Sequence, residues 1–337
     1  MYHAHFRGTH YEMGFRFGSS LAKNNRFVLD NVPFPITAER KEFACACVPL
    51  YREYFPEILE EISGLADGQQ CGVELIQAVL FSMYAIPPSC CCSCFAISDG
   101  SHILLGRNSD FIPALEKLNM NVIYRFSPNG SHSFTGNTTA FIEMEDGVNC
   151  RGLAAGLTSV YPAVRKPGLN AGMLLRFFLE KCENTEDVIR QLDRLPVSSS
   201  QTFTVADSKG ETAVIERSPQ RTKVIRPSKE RPFVCATNIF SSEEMSAFQK
   251  TGIDTWRAEE RYETLSRSLT AHSGRMDLSA VQNLLAGKEG FLCQYDRQNG
   301  TDTVWSVVYD LSGKGIYRTE GNPGRRKFKK DERFLLN

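Results

Sequence analysis

Residues 90–110, CCCSCFAISDGSHILLGRNSD, constrain this chain more than any other stretch. Phe95-Ala96-Ile97 and Ile103-Leu104-Leu105 are short β-prone runs, and Ser98-Asp99-Gly100-Ser101 carries turn chemistry between them, so the segment predicts a β-hairpin. Residues equidistant from a turn face each other on paired strands. Counting back from Asp99-Gly100 sets Cys92 to Cys94 against Gly106 to Arg107, with Asp110 just past the end of the hairpin. A strand that opens on thiols, paired with one that ends in Arg and Asp, brings three useful groups to one sheet edge. The thiol can be a nucleophile, the guanidinium can hold its thiolate, and the carboxylate can hold an amine.

The pattern resembles the N-terminal nucleophile (Ntn) hydrolases of the isopenicillin N acyltransferase and choloylglycine (bile-salt) hydrolase type. There a Cys followed by Thr or Ser opens a strand, and the hairpin returns into a motif such as Gly106-Arg107-Asn108-Ser109-Asp110. The eighteen-residue spacing to Asp110 selects Cys92, which Ser93 follows; Cys90, Cys91 and Cys94 compete with it. Further ordered matches run over roughly residues 10 to 320. They are EILEEISGLADG at 57–68, GVNCRGLAAGLT at 147–158, FTVADSKGETAVIER at 203–217, and Cys235-Ala236-Thr237-Asn238.

The resemblance implies an α+β fold, the four-layer αββα sandwich of Ntn hydrolases. It would carry a helical N-terminal segment at 1–91 and a catalytic core at 92–337. It implies a cysteine enzyme that cleaves or transfers the acyl group of a linear, non-peptide amide through a thioester, with no cofactor. The base in such enzymes is the α-amine of the nucleophile itself, whose ordinary pKa of about 7.7–8.0 suits proton transfer near neutrality. Cys92 has 91 residues before it, so cleavage between Cys91 and Cys92 is expected, leaving α and β fragments together. Arg107 would favour the thiolate and Asp110 would hold the freed amine. Asn238 would donate to an oxyanion, with a second Arg on the following helix, either Arg257 or Arg261. Thr158 stands where related hydrolases often carry Asn, which puts its oxyanion role in doubt. Asn108 and Asn149 read as backbone-bonding residues more than catalytic ones. Expected partners are a small acyl amide and an acceptor, either an amine or acyl-CoA, with Phe, Leu and Tyr near 111–124 and 159–163 lining the pocket. A homo-oligomer is left open.

The rest of the chain agrees with a soluble enzyme. Of 337 residues, 42% are hydrophobic and 23% charged, as in ordinary globular proteins. Lys+Arg and Asp+Glu are both 39, which gives no global case for nucleic acid or an anionic membrane. The basic run Arg325-Arg326-Lys327-Phe328-Lys329-Lys330 reads as solvated surface. No apolar run approaches the roughly 20 residues of a membrane span, and MYHAHFRGTHYEMG lacks the apolar core of an export signal. Eleven cysteines without such a signal suggest free thiols in a reducing cytoplasm. Two rival readings remain. One is an inactive family member that only binds an acyl ligand. The other is a metal or thiol-redox module built on Cys90, Cys91, Cys92 and Cys94 with Cys45 and Cys47. Adjacent strand cysteines point to opposite faces, which suits a single ion poorly.

Periodicity predicts helices near 11–30, 49–66 and 73–84, then strands at 93–98, 102–107, 121–127, 131–136, 139–144 and 152–159. Helices follow at 170–183 and 185–194, the second capped at Asn184. A hairpin at 202–207 and 212–217, helices at 254–268 and 277–285, and strands at 303–309 and 315–318 complete the chain.

Overall fold

Capping chemistry sets where the helices begin. In the computed structural model, which describes residues 1–86, 91–127 and 130–336, the chain opens with strand β1 (Tyr2–Gly8). Helix α1 (His10–Lys23) follows, started by a reciprocal capping box between Thr9 and Glu12. Helix α2 (Ala38–Tyr54) starts at the Thr37 cap and carries Pro49 inside it, and α3 (Pro56–Gln69) starts on Pro56. The single helix expected at 49–66 is therefore the end of one helix and the start of another. Of the two prolines, Pro56 takes the first-turn position that proline favours. Helix α4 (Val73–Ser82) completes the N-terminal part. Two backbones touch within it. A Cβ on Gly14 would lie 2.0 Å from Glu61 O, and one on Gly64 2.1 Å from Tyr11 O.

The strands that follow are β2 (Cys91–Ser98), β3 (Ile103–Phe111), β4 (Met120–Phe126), β5 (Phe134–Thr138), β6 (Asp146–Asn149) and β7 (Leu153–Ser159). Next come α5 (Ala171–Lys181), α6 (Thr185–Arg194), β8 (Gln201–Asp207), β9 (Thr212–Arg217), β10 (Thr222–Ile225) and β11 (Phe233–Ala236). The chain ends with α7 (Ala258–Ala271), α8 (Leu278–Leu285), β12 (Asp302–Asp310), β13 (Gly315–Thr319) and β14 (Lys329–Lys330). The strand expected at 139–144 does not form. Glu143 N turns back to Ala140 O, Phe141 adopts φ 60°, and the strand starts only at Asp146.

Two sheets result. One runs β1-β4-β5-β6-β7-β8-β9-β10, the other β11-β2-β3-β12-β13-β14. They pack face to face through β2 and β3 on one side and β7 to β9 on the other. Helices α5 and α6 cover the outer face of the first sheet, α7 and α8 that of the second, which gives the four αββα layers. Alternation along β2 shows the layering. Cys94 and Ala96 join the apolar cluster between the sheets, whereas Phe95 and Ile97 join the one beneath α7 and α8.

The N-terminal segment is not purely helical as expected. β1 adds in parallel to β4 along its whole length and is thus part of the first sheet, and Cys91 already belongs to β2. The fully buried Arg176 donates to Glu61 at 2.7 Å, and Tyr124 donates to the same carboxylate at 2.9 Å, tying α3 to the core. Among the described residues no helix is long and apolar enough to cross a membrane.

Candidate active site

The β2–β3 ladder pairs Cys91 with Asp110, Cys92 with Ser109, Ser93 with Asn108 and Cys94 with Arg107. Asp110 thus lies inside the ladder instead of beyond it. Parity then divides the cysteines. Cys92 and Cys94 face the space between the sheets, while Cys91 and Ser93 face α7, where Cys91 Sγ lies 3.5 Å from Thr255 O. Cys90 lies outside the described residues. Among those described, no group of three or more His, Cys, Asp or Glu side chains is placed to hold a metal.

Arg107 crosses the inter-sheet space to Cys92. Its Nη2 donates to Cys92 Sγ at 2.8 Å, Nη1 to Asp146 at 2.8 Å, and Nε to Leu157 O at 3.0 Å; Glu145 lies 3.4 Å from Nη2. Asp146 also accepts from Trp305 Nε1 at 2.9 Å and Tyr309 OH at 2.7 Å. Burial alone would lower the pKa of Arg107, but Cys92, Asp146 and Glu145 outweigh it and hold the guanidinium firmly charged. Gly156 on β7 makes room for this. A Cβ there would stand 2.6 Å from Cys94 Sγ and 3.1 Å from Arg107 Cδ. Burial pushes the Cys94 thiol up to about 12, only partly offset by Arg107, which leaves that sulfur inert near neutrality.

The other face of β2 holds the backbone of Cys92. Arg261 on α7 donates through Nη1 to Cys92 O at 2.6 Å and Ser93 Oγ at 3.0 Å, and through Nη2 to Asn238 Oδ1 at 2.9 Å. Because a guanidinium can only donate, Arg261 fixes which end of the Asn238 amide is oxygen. That oxygen accepts Cys92 N at 2.8 Å, and Nδ2 donates to Ser159 O at 2.8 Å. Asn238 reaches the site because β11 pairs with β2, a strand that periodicity alone did not reveal. Asp110 accepts from Thr303 Oγ1 at 2.6 Å and Tyr295 OH at 3.0 Å, and lies 3.7 Å from Arg261. Its burial pushes its pKa up to about 6 against the pull of Arg261 and these hydroxyls.

The structure therefore gathers Cys92, Arg107, Asp110, Asn238 and Arg261. It separates Arg257, which is exposed at the start of α7, paired with Glu260 and stacked 3.6 Å from the centroid of the Phe291 ring. Thr158 Oγ1 is bonded to Thr202 Oγ1, directed at β8. Asn149 bonds Leu179 O and Cys182 O and caps the β6–β7 turn, and Asn108 donates to Leu285 O on α8. Glu145, Asp146, Tyr295, Thr303 and Trp305 were missed by sequence reasoning. The acidic pair inside an apolar segment was the one available sign of a buried cation.

Beside the site, Phe111, Leu115 and Leu118 form an apolar cleft with Met83, Tyr84 and Phe141. It shares Leu118, Thr139 and Phe141 with a groove of about 660 Å³ between α1 and β1. Thr139 donates to Glu145, whose other oxygen accepts from Ser109.

No curated protein matches this chain in sequence. In structure it is similar to a penicillin V acylase from Agrobacterium tumefaciens, at 17% identity over 68% of this chain and 82% of that one, with a TM-score of 0.46. It is also similar to the N-acylethanolamine-hydrolyzing acid amidase ortholog of Caenorhabditis elegans, at 18% identity over 65% and 93%, TM-score 0.47. A conjugated bile acid hydrolase variant from Clostridium perfringens is similar at 13% identity over 72% and 98%, TM-score 0.46. The family model of the acyl-coenzyme A:6-aminopenicillanic acid acyl-transferases matches residues 97–325. Spanning well over half of the sequence, that match shows that the chain belongs to the acyl-coenzyme A:6-aminopenicillanic acid acyl-transferase family.

Proposed function

We propose that this protein is a cysteine amide hydrolase or N-acyltransferase that matures by cutting its own Cys91–Cys92 bond. In maturation Cys92 Sγ attacks the Cys91 carbonyl carbon. The C–N bond breaks, the thiol proton passes to the departing nitrogen, and Cys91 is left as a thioester on Sγ. Water then cleaves the thioester, giving the Cys91 carboxylate and a free thiol beside a new α-amine. In turnover that amine takes the thiol proton while Sγ attacks the substrate carbonyl, then gives it to the leaving amine. The resulting thioester passes its acyl group to water or to an acceptor amine.

The observation that carries this reading is the 2.8 Å contact between Arg107 Nη2 and Cys92 Sγ, which favours the thiolate of this sulfur. Arg261 and Asn238 hold the adjoining backbone, and in this reading Asn238 Nδ2 stabilises the oxyanion. Asp110, level with Cys91 in the ladder, is the group that would receive the freed amine. The apolar cleft next to Glu145 suits the acyl part of a small amide, and the acyl donor or acceptor includes acyl-CoA and amines. Placement in the cytoplasm and retention of both fragments belong to the same reading.

Intact mass and N-terminal sequencing of the recombinant protein test it. Two fragments with Cys92 as the new N-terminus are expected, and Cys92→Ala should remain a single inactive 337-residue chain. Removing the one sulfur should cost about 1–2 kcal/mol of stability. Cleavage before Cys91 or Cys94, or amide turnover by an uncut chain, would reject the mechanism.

A further inference from the structure

We propose that a basin beside β13 and β14, on the rim of the second sheet, binds a small molecule carrying several phosphate groups. The basin encloses about 790 Å³, within the range of small-ligand sites. Seven of its lining residues are Lys or Arg and two are acidic, an excess of five positive charges with His3 neutral. The whole chain has a formal net charge of zero, so this charge has been gathered in one place.

Its acids are already engaged. Asp331 accepts from Arg318 and Arg333, Glu320 from His3 and the N-terminal amine, and Arg325 is held by Asp302. Arg326, Lys327, Lys329 and Lys330 have no ion pair among the described residues. The basic run lies on the surface, as its sequence suggests, with only Phe328 half-buried. Gly321, at φ 115°, turns the chain so that 329–330 pair with 317–318. That pairing sets Lys329 opposite Arg318, whose charge Asp331 answers, while Lys329 itself is left without an ion pair among the described residues. Arg and Lys together suit phosphate, the one by its forked donors and the other as a point charge. The basin is of a size to hold a compact anion among these side chains.

Calorimetric titration of the full chain with tripolyphosphate, ATP and adenosine, at about 50 mM salt, tests this. Saturable binding of tripolyphosphate and ATP but not adenosine is expected, weakening as added salt screens the charges. Tighter binding of ATP would assign a nucleotide as the source of the phosphates, and equal affinities a bare phosphate chain. The triple variant Lys327→Glu, Lys329→Glu, Lys330→Glu should lose at least tenfold in affinity, with Lys209→Glu as a neutral control. The Gln triple serves if charge reversal impairs folding. No saturable binding of either phosphate, or a triple variant that binds as wild type, would overturn the proposal. So would tighter binding of a DNA duplex or of anionic lipid vesicles than of either small anion.

Discussion

Gly156→Ala should disable the site without touching any reactive atom. The added methyl would stand 2.6 Å from Cys94 Sγ and 3.1 Å from Arg107 Cδ. Contact between heavy atoms becomes favourable near 3.5 Å, so the sulfur must retreat by roughly 0.9 Å. It has nowhere to go, being fully buried and directly opposite Arg107 in the ladder. Arg107 must shift with it, and a shift of that size breaks its 2.8 Å bond to Cys92 Sγ. Overpacking costs about 1–3 kcal/mol of stability. Losing a charged hydrogen bond costs about 1.5–3 kcal/mol, which slows self-cleavage roughly ten- to hundredfold if the bond is made in the transition state. Removing the obstructing sulfur should restore the space, so Gly156→Ala/Cys94→Ala should recover most of the rate while Cys94→Ala alone stays near wild type. The assay is the rate at which the β fragment appears on a denaturing gel, with urea midpoints measured in parallel. Wild-type processing by Gly156→Ala, or no rescue by the second substitution, would refute the argument.

Other substitutions probe the remaining groups. Asn238→Ala should lower kcat about 10²–10³-fold with little change in KM, and should slow self-cleavage too, since both reactions pass through an oxyanion; progress curves and gel densitometry check this. Arg107→Ala should lose activity most at low pH, the defect shrinking as rising pH ionises the thiol by itself, read from a kcat/KM profile. Asp110 has a folded pKa of about 6 against 3.8 unfolded, so between these values the native state holds more protons and stability falls as pH rises, levelling off above about 6. In the uncleavable Cys92→Ala background, the stability difference from Asp110→Asn should therefore move by about 2 kcal/mol between pH 4 and 6, measured by urea unfolding. Gly64→Ala should destabilise by several kcal/mol and lower Tm, because its methyl meets the backbone of α1 at 2.1 Å and not a side chain that can turn away.

The hairpin that carries Cys92 was legible because its turn residues and apolar alternation are local. The ladder runs further than the sequence suggested, to Phe111, because Arg107, Asn108, Ser109 and Asp110 are polar yet wholly buried, a burial that only tertiary partners can permit. Residues 139–144 alternate as a strand should, but Glu143 and Glu145 point inward and the backbone turns. β11 is four residues long, too short for periodicity, so Asn238 was found through resemblance to a family motif and not through pattern. Arg257 and Arg261 were indistinguishable by spacing. The left-handed φ of 59° at Arg257 places it before the first helical turn, and only Arg261 projects from the helix to β2.

The parallel pairing of β1 with β4 changes what a cut between Cys91 and Cys92 would mean. The severed N-terminal piece would keep seven residues woven into a sheet of the other piece, besides the buried grip of Arg176 on Glu61. The product would be a two-chain protein whose subunits share a single folded core and separate only by unfolding. Such a cut costs the molecule none of its cohesion. The ladder position that Cys91 held opposite Asp110 would fall vacant. The enzyme would thus begin life with its own chain as the first occupant of its site, and each copy would record by that single cut that its catalytic groups had assembled correctly.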